Sequence, residues 1–113
     1  MNAQTIYGHS LSGNLLGNYF NNLVNQFFKI LPMRENEEDS LITYMQSLQV
    51  ELIGCKALIP ELSENSFFLT LLSILQFLID TPGTAVPTVK REVFRAISIC
   101  HKLESAYAET EVS

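Results

Sequence analysis

Cys100 and His101 are neighbours, with Cys55 and His9 far from them in the chain. Two thiols and two imidazoles are enough in number for zinc, which takes four ligands in structural sites and three plus water in catalytic ones. Their spacing argues against it. Structural ligands come in close pairs, and adjacent residues on a helix point about 100° apart, so Cys100 turns from any ion that His101 could hold. The same angle disposes of a Cys100–His101 nucleophile and base, and Cys55 with His101 would need a coincidence of fold. We expect no metal, no cofactor and no catalytic residue. A small helical enzyme would place ionisable groups inside its bundle, and the apolar stretches here carry only Ser, Thr, Asn and Gln.

The acids Glu35, Glu37, Glu38 and Asp39 form the one dense charge run. A calcium loop would alternate its oxygen ligands around a turn glycine, and that pattern is missing. The plain reading is a solvated loop whose charge favours the N-terminus of the next helix. The second reading is a docking patch for a basic partner surface.

Four of the seven basic residues come late: Lys90, Arg91, Arg95 and Lys102. On a helix Arg91, Arg95 and Lys102 share a face, which could lie along phosphates. Glu92 and Glu104 interrupt the charge, three phosphate contacts are few, and no aromatic platform accompanies them. The net charge of −5 also opposes nucleic acid and an anionic membrane. A nucleic-acid-associated regulator is therefore the alternative and not the main expectation.

Asn18, Asn21, Asn22 and Asn25, with Gln26, occupy the polar positions of the first apolar-patterned stretch. Solvated helix faces are ordinarily built from Glu, Lys and Arg, which favour helix better than Asn does. Uncharged amides can be covered by a partner without the desolvation cost of a charge. These four asparagines and the acid run are the candidate partner contacts.

Helices must position these groups. Apolar pairs recur every four residues at Leu15-Leu16, Tyr19-Phe20, Leu23-Val24 and Phe27-Phe28. They predict a first helix from Asn14 to Leu31, ended by Pro32. In the second, Leu41, Met45, Leu48, Leu52, Cys55 and Ile59 follow a heptad seam, with Asp39 or Ser40 as cap and Pro60 as terminator. The third spans about 66–79, capped by Asn65 or Ser66. It is apolar nearly all round, broken only by Thr70, Ser73 and Gln76. At ~1.5 Å per residue it is too short for a bilayer core of about 30 Å, so protein must cover it. Asp80-Thr81-Pro82-Gly83 breaks the chain before a last helix that starts between Thr84 and Thr88 and buries Val86, Val89, Val93, Ala96, Cys100 and Leu103.

The expected fold is all-α, a four-helix bundle-like single domain with short connections and helix 3 central or at a dimer interface. Residues 1–13 read as a flexible arm, 14–104 as the helical domain and 105–113 as a frayed tail. Apolar residues make up 47% of the 113-residue chain and charged ones 17%, below the usual 25% or so, which favours association. The expectation is a non-enzymatic small helical protein acting through protein-protein interaction, with itself or another protein. The first residues lack the basic and apolar regions of a signal peptide, which makes the cytoplasm the default, and the short apolar helix with the acidic balance leads us to expect no membrane.

Overall fold

The computed structural model describes residues 3–4, 10–11 and 13–108. Four long helices dominate it: α1 (Gly13–Phe28), α3 (Leu41–Leu58), α4 (Ser66–Asp80) and α5 (Val86–Ala108), with a six-residue helix, α2 (Ile30–Glu35), after the first. The fold is an all-α bundle, as the periodicity predicts. Ahead of it two strands of two residues, β1 (Ala3–Gln4) and β2 (Ser10–Leu11), pair antiparallel, a feature too short for any alternating pattern to announce. The remaining residues expected to form an arm lie outside the described ones.

The core grows from one stripe on each helix. Leu16, Phe20, Leu23 and Phe27 of α1 meet Val93, Ala96, Cys100, Leu103 and Tyr107 of α5, all buried. The two helices run antiparallel, since Phe20 stacks on Tyr107 at 5.8 Å while Phe28 meets Phe94 at 6.4 Å. Helix α4 packs against α3 and α5 but is not enclosed as the expectation of a central helix required: Phe67, Leu69 and Phe77 stay exposed on its outer side. Its Phe68, Leu71, Ile74, Leu75 and Leu78 are buried, and Phe68 reaches Phe20 of α1 edge to face at 6.3 Å. The heptad seam of α3 also goes inward. Met45, Leu48, Leu52 and the terminal Ile59 are buried, with Leu41 and Cys55 packed half-buried beside them.

Two boundaries and one cap differ from expectation. Helix α1 stops at Phe28, not at Leu31, and Pro32 sits inside α2 rather than ending a helix. A proline removes the N–H owed to the carbonyl four residues earlier and its ring crowds that carbonyl, so the break appears at Phe28–Lys29, one turn upstream. Ser40 holds the N-cap position of α3 without a capping side-chain bond, and Asp39 lies outside it. Helix α5 continues to Ala108, past the expected end at Glu104, because Tyr107 is held by the core and donates to Glu61 Oε1 at 3.1 Å. Asn65 does cap α4, its Oδ1 accepting from Phe68 N–H at 3.0 Å. The segment before it is a 3-10 turn (Pro60–Glu64) that buries Leu62.

Candidate interaction surfaces

Helix geometry divides each apolar pair of α1. Neighbouring side chains diverge by about 100°, so only one of two can enter the core fully. Leu16, Phe20, Leu23 and Phe27 go in, Tyr19 and Val24 are half-buried, and Leu15 and Phe28 stay out. Phe28 is 50% exposed and meets Phe94, 46% exposed, in an edge-to-face pair on the α1–α5 surface. Asn18, Asn21, Asn22 and Asn25 are all exposed on the outward face of α1. Asn21 and Asn25 precede Phe28 by seven and three residues, which places them on its side of the helix. The result is an uncharged helix face with an aromatic pair at one end. The exposure of the asparagines agrees with their polar positions in the sequence, whereas that of Phe28 and Phe94 is not legible there, because inward and outward apolar neighbours look alike.

Three of the four acids in the run edge a cleft between helices, and Glu35 does not line it. Glu35, Glu37, Glu38 and Asp39 are exposed, and Glu37 takes a left-handed backbone (φ 54°) where the chain turns from α2 toward α3. Glu37, Glu38 and Asp39 rim a cavity of about 320 Å³ floored by Ile30, Ile42, Met45 and Leu78. Arg34 also lines it, donating from Nη2 to the Thr84 carbonyl at 3.0 Å and so tying α2 to the α4–α5 connection. Among the described residues no cation forms an ion pair with the rim acids. An apolar floor under carboxylates suits a ligand that is greasy along its length and positive at its tip.

The basic residues line a different surface. Arg91 and Arg95 flank Glu92 along a groove of about 420 Å³ against Thr70, Ser73 and Phe77 of α4. Their guanidinium groups approach the Glu92 carboxylate at 3.5 and 3.3 Å. Lys102 lies at the other end of α4, its Nζ 5.4 Å from the centre of the Phe67 ring. The three thus share one edge of α5, but Glu92 offsets part of their charge and Lys102 is drawn to an aromatic face.

No protein family, no curated protein and no solved structure matches this chain. Its chemistry has to be read from its own side chains.

The titratable groups near the core are turned away from reactivity. Burial pushes the Cys100 thiol up to about 12, and it raises Cys55 as well, with the Glu51 charge adding to it. A reactive cysteine needs a lowered pKa and access, and burial shifts both thiols the other way. Tyr107 is pushed up to about 12, by burial first and then by the Glu61 carboxylate. Tyr19 is raised further by burial, with Cys55 and Glu51 as secondary causes, its hydroxyl enclosed beside the Glu51 carboxylate and the Cys55 thiol. Tyr44 donates to the Gln26 carbonyl at 2.7 Å. Tyr19, Tyr44 and His101 line neither of the clefts described above. Among the described residues no three His, Cys, Asp or Glu side chains gather in a metal-binding group. Among the described residues no helix is long and apolar enough to cross a membrane.

Proposed function

We propose that this chain is a non-enzymatic interaction protein that binds a second copy of itself through the uncharged face of α1 and the Phe28–Phe94 pair. The observation that carries the reading is that aromatic pair, half in solvent and beside exposed amides. Stable interfaces combine an apolar, often aromatic centre with a polar rim that hydrogen-bonds, and this face has both parts. Asparagines lose less on desolvation than charged side chains would, so covering them is cheap if the partner supplies donors and acceptors. A cytoplasmic setting, in which Cys55 and Cys100 stay reduced, belongs to the same reading.

The alternative, a nucleic-acid-associated regulator using Arg91, Arg95 and Lys102, draws support from their shared edge. Glu92 between the arginines and the overall charge of −5 weaken it. Sedimentation velocity across micromolar concentrations tests the main reading. Reversible association is expected, and Phe28→Asp with Phe94→Asp shifts the protein to monomer while its circular dichroism is unchanged. A wild-type monomer at every concentration would remove it. A salt-sensitive mobility shift with duplex DNA or RNA would favour the alternative.

A further inference from the structure

We infer that the acid-rimmed cleft between α2, α3 and α4 receives Arg91 and Arg95 from α5 of a second copy, a charged contact in addition to the aromatic one. The inference rests on the self-association reading and adds a specific pairing to it. The cleft combines an aliphatic floor, including Ile30 and Ile42, with Glu37, Glu38 and Asp39 at its mouth. That combination fits an arginine, whose methylene stem covers apolar surface while its head stays with the carboxylates. A small inorganic cation would use only the rim.

The matching arginines are present on the same chain and are available. Their side chains are 70% and 57% exposed, whereas Glu92 between them is 13% exposed and so does not project. Each guanidinium carries five N–H donors, and its approach to Glu92 is long at 3.3 to 3.5 Å. Most of that hydrogen-bonding capacity remains for a carboxylate of another molecule, which arginine binds with two parallel bonds. Arg34 is the one like charge in the cleft. It is turned to the Thr84 carbonyl, and three carboxylates outnumber it. The chain's net charge of −5 opposes approach of two copies, but at ~0.1 M salt charges farther apart than about 10 Å are screened while contacting pairs persist.

A charge-exchange experiment decides the matter. One variant carries Glu37→Lys and Glu38→Lys, the other Arg91→Glu and Arg95→Glu, and association is measured by sedimentation velocity. Each variant alone is expected to associate roughly 100-fold more weakly than wild type, because like charges then face each other. An equimolar mixture is expected to recover association, since the lysines of one meet the glutamates of the other. Recovery also proves both variants folded. Variants that associate as wild type does would overturn the inference and leave self-association standing, as would a mixture of folded variants that stays monomeric. A monomeric wild type would remove both. As a second measurement, wild-type association should weaken as salt rises, and indifference to salt would equally overturn the pairing.

Discussion

At the scale of single residues, the core depends on large side chains that bridge helices. Phe20 is fully buried and touches Phe68 of α4 and Tyr107 of α5, so it holds three helices at one point. Phe20→Ala should cost about 3–5 kcal/mol, read as a lowered urea midpoint with an unchanged slope. The buried tyrosines and thiols set an alkaline limit. Cys100 and Tyr107 are both pushed up to about 12 in the folded chain, from ordinary values near 9 and 10. The unfolded chain therefore releases these protons first, and stability falls as pH rises from roughly 9 to 12. It is fully present below that window. Thermal melts across the range should show the decline. Tyr107→Phe should lessen its steepness while costing about 1 kcal/mol near neutrality for the lost bond to Glu61. A melting temperature that stays flat up to pH 11 or so would contradict the assignment.

At the scale of elements, caps and breaks determine where helices begin and end. Asn65 satisfies an otherwise orphan N–H at the start of α4, the most apolar helix. Asn65→Ala should destabilise by about 1 kcal/mol, and Asn65→Asp should largely preserve the cap. Chemical denaturation separates the two. Glu37 holds the left-handed turn between α2 and α3, a conformation that costs a side-chain-bearing residue about 1–2 kcal/mol. Glu37→Gly should relieve part of that cost and raise stability by up to about 1 kcal/mol. A loss would mean that the carboxylate contributes more to the loop than its exposure suggests. Proline acts with a delay of one turn, since Pro32 interrupts the helix at Phe28. The outward Phe28 therefore stands at the very end of α1.

At the scale of the molecule, the charge distribution and the apolar surface point in one direction. Acids cluster at the α2–α3 turn and arginines on α5, while α1 has no charge at all from Gly13 to Phe28. Phe67, Leu69 and Phe77 of α4, and Val50 and Ile53 of α3, also remain exposed after folding. The bundle covers one side of its greasiest helix and leaves the other partly bare. Light scattering of Phe28→Asp with Phe94→Asp should show the mass approaching that of one chain. An unchanged mass would remove the Phe28–Phe94 face from the proposed interface.

Much of this architecture was legible in the chain itself. A period of 3.6 in the apolar residues assigns helices, and a seam such as Leu41 to Ile59 names the buried side, because burial must follow the geometry of one helix. The cap at Asn65 follows from equally local chemistry, whereas the exposed side of α4 does not, since its residues are as apolar as the buried ones. The contacts that join distant positions could not be read that way. Nothing near Tyr107 in sequence predicts that Phe20 and Glu61 would hold it, and nothing near Phe28 predicts Phe94. Which residue of an apolar pair faces inward, and which charged runs end up around a cleft or along a free edge, depends on how helices pack against one another. Local periodicity carries no information about that packing, so only the assembled bundle could reveal these surfaces.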